Sequence, residues 1–178
     1  MKKIIFFILI LGFQLIFAQN EGKVDTISVS QADPLVFEKI TLLAHRPCQK
    51  PRLETNYYLK NPKNGAYYII YNEEKQLTLE GTYVFNETNK GLGKDAGSFY
   101  DSKSYHYKKN GNIDFIHYQK EGRNSRTEYF DGKKRLKKIR YIDKKSGDTD
   151  KIEIYQKGKL KETRIYTAFS TYHTVKSN

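Results

Sequence analysis

The chain has 178 residues, with 32 Lys/Arg against 20 Asp/Glu, 15 tyrosines, 10 phenylalanines, no tryptophan and one cysteine. A lone cysteine, Cys48, excludes an intramolecular disulfide, so packing and sheet hydrogen bonds must hold the fold. A composition rich in tyrosine and poor in strong helix formers excludes a helical bundle and favours pleated, half-wet surfaces, that is, an all-β protein with a thin core.

The first segment, MKKIIFFILILGFQLIFAQN, joins Lys2 and Lys3 to an apolar run. It has the layout of a secretory signal with a cut after Ala18. A spanning helix needs about 20 predominantly apolar residues, and this run is shorter and is interrupted by Gln14. No cysteine stands at the new terminus to carry a lipid, so the expected location is periplasmic or extracellular, with no transmembrane segment after cleavage. Residues 19–56 form the next segment and hold three of the four prolines, Pro34, Pro47 and Pro51, with Pro62 just beyond. Within it ISVS reads as a strand, whereas PLVFEKITLLA fits either a short helix or a buried strand. This segment is expected to cap one end of an array, since terminal units of repeat proteins are atypical.

YYIIY reads as the strand that opens a repeat region over residues 57–170, with a short tail at 171–178. Four tyrosine-bracketed frames follow: Tyr71 to Tyr83, Tyr107 to Tyr118, Tyr129 to Tyr141 and Tyr155 to Tyr166. Three carry a turn dipeptide, Asn110-Gly111, Asp131-Gly132 and Lys157-Gly158, and the first has NEEK instead. Asn-Gly and Asp-Gly between extended runs signal hairpins, because both central residues of the tight turn need positive φ. Each frame is therefore expected to be a hairpin. With Asn110-Gly111 as a two-residue loop, Tyr107 would pair with Asp114, Lys108 with Ile113 and His106 with Phe115. Both faces then carry mixed apolar and charged residues, which suits one curved antiparallel sheet.

The pattern of tyrosine, polar pair, glycine, basic or polar residue, apolar residue and closing tyrosine, over roughly Tyr57 to Tyr166, resembles the MORN-like repeats (membrane occupation and recognition nexus). The nearest resemblance is to the variant found in bacterial secreted and antitoxin-like proteins. It implies a sheet of repeated β-hairpins, and it implies binding to a partner, a lipid surface or a toxin, in place of a reaction.

Candidates for chemistry are few. His45 and Cys48 form an H-x-x-C pair, but a structural zinc site needs four protein ligands and no second pair is present, so no metal and no cofactor is expected. GLGKDAG lacks the strand-to-helix context and the Lys-Ser/Thr ending of a phosphate loop and reads as a hairpin tip. His106 and His117 would share a face without a third ligand or nucleophile. The strongest charge signal is KKRLKKIR. From Gln19 to Tyr100 ten Lys/Arg face ten Asp/Glu, and from Asp101 to Asn178 twenty face ten, so the excess lies in the repeats. The expected recognition surface is Lys133, Lys134, Arg135, Lys137, Lys138 and Arg140 with Tyr129, Tyr141 and Tyr155. Its expected partner is an envelope protein or an anionic surface, phospholipid or polysaccharide, with tyrosines free to stack on sugars. Export argues against nucleic acid. The alternative explanation for the lysines is protection of sheet edges. The sequence thus points to a non-catalytic binding or scaffold module of the cell envelope. An antitoxin or immunity-like protein and a small envelope enzyme using His106 or His117 stand as alternatives.

Overall fold

A computed structural model describes residues 24–44, 50–85, 97–168 and 170–176. The signal segment, His45, Cys48 and most of GLGKDAG lie outside the described residues. All twelve elements are strands. β1 (Thr26–Ser30), β4 (Tyr67–Tyr71), β5 (Leu77–Phe85), β6 (Gly97–Tyr107), β7 (Ile113–Lys120), β8 (Arg123–Phe130), β9 (Leu136–Ile142), β10 (Thr149–Gln156), β11 (Lys159–Tyr166) and β12 (Tyr172–Lys176) form one ten-stranded sheet in that order, and β2 (Phe37–Ala44) and β3 (Arg52–Leu59) form a separate hairpin. From β4 onward every strand pairs antiparallel with the next, and β1 alone pairs in parallel, with β4. The fold is therefore a large sheet of sequential hairpins with a small two-stranded sheet added.

The four tyrosine frames fall on the β4–β5, β6–β7, β8–β9 and β10–β11 hairpins. The ambiguous segment PLVFEKITLLA supplies the strand β2, and the tail at 171–178 contains β12, which extends the sheet past β11. The N-terminal segment does more than cap an end. β1 forms one edge of the sheet, while Phe37 of β2 and Tyr57 and Leu59 of β3 pack on the face of β4 and β5.

The core sits under that hairpin. Phe37, Ala66, Tyr68, Ile70 and Tyr83 are buried together, with Leu79 and Phe99 packed against them. Tyr68, Tyr83 and Phe99 meet edge to face, Tyr83 and Phe99 at 5.3 Å, a geometry that aligns ring edges with electron-rich faces. Ser102 pairs with Gly81, where a Cβ would collide with the Asp101 carbonyl and come within 2.5 Å of the Ser102 Cβ. Glycine is required there by the close approach of β6. Beyond β6 the sheet is one layer thick, and among the described residues there only Ile116, Thr127 and Ile139 are buried.

The turns correct two expectations. Between β6 and β7, Gly111 N–H donates to the Lys108 carbonyl and Lys108 N–H to that of Asn112, which makes a three-residue loop with Gly111 in the left-handed region at φ 78°. His106 still pairs with Phe115, but Tyr107 pairs with Ile113 across a bulge. The β8–β9 turn has the same shape: Lys134 N–H donates to the Asp131 carbonyl, Asp131 N–H to that of Arg135, and the left-handed residue is Lys134, φ 61°, while Gly132 has no positive φ. A type I turn followed by one left-handed residue satisfies the twist as well as the two-residue turn does. Asn72 to Gln76, the NEEK turn, repeats this geometry with Lys75 at φ 61°. Lys157-Gly158 is the expected two-residue turn, both φ positive, and Glu121-Gly122 is a second one that joins β7 to β8.

Candidate functional site

Paired residues of neighbouring strands project to the same side, so the register divides the sheet into two chemically different faces. On the face that carries the core, one row across the strands runs His106, Phe115, Tyr129, Lys138, Ile154, and the next runs Ser104, His117, Thr127, Arg140, Ile152. The opposite face carries Glu80 beside Lys103, Tyr118 beside Arg126, Glu128 beside Ile139, and Tyr141 beside Lys151.

The opposite face is electrostatically closed. Lys103 lies 2.6 Å from Glu80, which also accepts the Tyr105 hydroxyl at 2.9 Å. Glu128 accepts Tyr118 at 3.0 Å and pairs with Arg126 at 3.0 Å, at an angle too poor for a hydrogen bond. Glu153 accepts Lys151, Tyr155 and Tyr141 at 2.8, 2.9 and 3.1 Å. Burial opposes ionisation of Glu80 and Glu153, yet the lysine and phenol hydrogen bonds outweigh it and lower both carboxyls. The phenols shift the other way: burial first, then Glu153, push Tyr155 up to about 12. The Arg126 guanidinium and the Lys151 ammonium also lie over the Tyr118 and Tyr141 rings, at 4.1 and 4.2 Å. Each of these cations has a carboxylate partner, and Arg126 and Lys151 have a ring as well, so the ladder ties strand to strand and leaves little charge to offer.

The core face is open beyond β6. His106 stacks on Phe115 at 4.1 Å, Phe115 meets Tyr129 at 5.8 Å, and Lys138 Nζ lies 4.0 Å over the Tyr129 ring. One face of the Phe115 ring is thus taken by His106 and one face of the Tyr129 ring by Lys138. Among the described residues neither Lys138 nor Arg140 is in an ion pair; Arg140 Nε donates to the Thr149 hydroxyl at 2.7 Å. Burial first, and then the charges of Lys137 and Arg140, lower the pKa of Lys138, since desolvation and nearby like charges both disfavour the ammonium. His106 and His117 do share this face, rings 6.4 Å apart, and His117 Nδ1 lies 2.6 Å from the Thr127 hydroxyl. Burial and then His117 lower His106. Among the described residues no group of three or more His, Cys, Asp or Glu is placed to hold a metal ion.

The expected recognition residues are thus separated. Tyr129, Lys138 and Arg140 lie on the open face, Tyr141 and Tyr155 belong to the closed ladder, and Lys133, Lys134 and Arg135 form the β8–β9 turn. Arg135 is engaged there, both guanidinium nitrogens on Asp131 Oδ2 at 2.8 and 2.9 Å. Asp131 Oδ1 accepts the amides of Lys133 and Arg135, and these bonds, led by that from the Arg135 backbone, lower its pKa to about 2. Asp131 locks the turn that presents Lys133 and Lys134 to solvent. Beside it a hollow of about 400 Å³ opens between the turn and the sheet, lined by Lys108, Tyr129, Asp131, Lys137 and Lys138. A larger cleft, about 830 Å³, runs between the β2–β3 hairpin and the sheet and is lined chiefly by Phe37, Tyr57, Leu59, Leu79 and Phe99.

Sequence reasoning missed Lys108, Lys109 and Lys159, which the hairpins bring into line with Lys133, Lys134 and Lys157. It also missed the carboxylate ladder, although Arg126-x-Glu128 and Lys151-x-Glu153 repeat at a spacing that places both charges on one side of a strand. No protein-family model and no curated protein matches this chain.

Proposed function

We propose that this protein is a non-catalytic binding module exported to the cell envelope, whose rigid sheet presents unneutralised cations to an anionic partner. One observation carries the reading: Lys103, Arg126 and Lys151 on one face are each paired with a glutamate, whereas among the described residues Lys138, Arg140 and the turn cations Lys133 and Lys134 are in no ion pair. Retained repulsion of this kind costs stability and raises attraction for anions. Edge protection does not account for it, because β8 and β9 are interior strands and the sheet edges are β1 and β12. The apolar N-terminal segment and the resemblance to MORN-like repeats agree with an envelope role.

The test is binding of the purified protein to an acidic polysaccharide and to vesicles with anionic lipid, across a salt series. Binding to either that weakens with salt and falls in K138Q/R140Q, with the fold intact by circular dichroism, supports the reading. Absence of binding to both at low salt removes it.

A further inference from the structure

Hairpins alternate their turns between the two ends of a sheet, so the β4–β5, β6–β7, β8–β9 and β10–β11 turns share one end. Contacts between them confirm the alignment: Lys108 Nζ donates to the Phe130 carbonyl at 3.0 Å and Asn112 Nδ2 to that of Gly132 at 3.4 Å. Three consecutive tips at this end carry two lysines each, Lys108 and Lys109, Lys133 and Lys134, Lys157 and Lys159. Asp131 is held by Arg135, and among the described residues only Lys108 of the six lysines is in an ion pair, with Asp114 at 3.4 Å. The fourth tip, at β4–β5, carries Glu73 and Glu74 beside Lys75 and ends the basic tract. The opposite end is different among the described residues: Lys144 pairs with Glu121, and Asp143, Asp148 and Asp150 stand beside the other cations.

Two of the six lysines stand where glycine is favoured. Lys134 and Lys157 have φ of 61° and 53°, and a residue with a Cβ in that region costs about 1 kcal/mol or more. Lys75 and Glu121 take the same conformation at other turns, φ 61° and 54°, so the strain goes with turn shape and not with charge. Interior hairpin tips have no sheet edge to guard, so edge protection does not account for the lysines placed there.

We propose that this row of tips is the binding site for one extended acidic polysaccharide chain, its carboxylates meeting the lysine pairs of three successive hairpins. The inference rests on the anion-binding reading above and names the ligand. Strands are about 4.8 Å apart, so successive tips recur at roughly 10 Å, on the order of a disaccharide in an extended chain. The outer tips are then about 20 Å apart, the reach of roughly four to six sugar units. Twist decides between a chain and a plane. Adjacent strands rotate by about 20–25°, and a bulge interrupts every antiparallel pair from β4–β5 to β10–β11, which adds to the twist. Tips on such a sheet follow a helical path. A flexible chain follows that path, whereas a flat lipid surface meets one or two tips at a time. Phe115 and Tyr129 lie on the sheet face and not at the tips, so recognition by the row is by charge spacing.

The experiment titrates homogeneous oligo-uronates, from the dimer to about eight units, into the purified protein at low salt. Affinity is expected to climb with length until the ligand spans three tips and then level off. K108Q/K109Q, K133Q/K134Q and K157Q/K159Q are each expected to weaken the long ligand by roughly 2- to 30-fold, from two exposed ion pairs, while K144Q/K145Q at the opposite end changes nothing. Affinity independent of length, or equal loss in K144Q/K145Q, overturns the row. Binding to anionic vesicles without binding to oligo-uronates also overturns it and leaves the anion-binding reading standing. No binding to either removes both. K134G keeps the test independent of folding: it relieves the strained position, so weaker binding by a variant at least as stable supports the row, and unchanged binding counts against it.

Discussion

Replacing Glu153 by glutamine tests whether the carboxylate ladder holds the single-layered half of the sheet together. Glu153 takes hydrogen bonds from Lys151, Tyr155 and Tyr141, and its side chain is 15% exposed against 33% for Lys151. Hydrogen bonds to a charged group contribute about 1.5–3 kcal/mol and neutral ones about 0.5–1.5, so an amide acceptor loses about 1 kcal/mol at each phenol. The Lys151 pair is partly solvated and is discounted to about 0.2–1 kcal/mol. The sum is a loss of about 2–3 kcal/mol for E153Q. With a urea dependence of about 1–3 kcal/mol per molar, the midpoint falls by about 0.7–3 M. The pH dependence gives an independent check. The folded-state pKa of Glu153 is lowered, so its stabilisation is present above the unfolded value of about 4.3 and is lost as pH falls through the folded value. Wild type and E153Q should therefore converge in acid. A difference below about 0.5 kcal/mol at neutral pH, within the usual scatter of surface substitutions, or additivity of E153Q with Y141F where contacting residues should couple, would refute the ladder.

Asp131→Ala is expected to loosen the β8–β9 turn. In the wild type the same loosening should appear in acid, because the lowered pKa of about 2 keeps the turn bonds intact until pH falls from about 4 toward that value; the amide resonances of Lys133 and Arg135 report it. Phe37→Ala should cost about 3–5 kcal/mol and speed amide exchange in β2 and β3 before the rest of the sheet, since Phe37 joins that hairpin to the core. Gly81→Ala should cost about 1–3 kcal/mol or more, read from urea unfolding, because the added methyl meets β6 backbone. K134G should raise stability by about 1 kcal/mol, measured by thermal unfolding.

The hairpin array was legible because its signals are local: alternating tyrosine and β-branched residues and turn-forming glycines write each β-hairpin into about a dozen consecutive residues. PLVFEKITLLA stayed ambiguous because its partners, Arg52 to Leu59 across the hairpin and the Tyr68–Tyr83 core beneath it, are supplied by tertiary packing. Turn shape was misjudged at Asp131-Gly132 since the left-handed residue is Lys134, a residue type that does not advertise positive φ. The basic run was visible, but its division was not. A strand of consecutive cations and tyrosines necessarily sends alternate residues to opposite faces, so Arg140 and Tyr141 separate. Lys108, Lys109, Lys157 and Lys159 join the site only through the alignment of turns, which no single window of sequence contains. The charge imbalance between the halves of the chain was the one signal that foreshadowed it.

The most direct measurement is chemical-shift mapping of backbone amides on addition of an oligo-uronate long enough to span three hairpins. The account predicts perturbations at Lys108–Asn112, Asp131–Lys134 and Gln156–Lys159, with Glu121, Gly122 and Asp143–Asp148 silent. Shifts spread evenly over both ends of the sheet, or confined to a single tip, would contradict it.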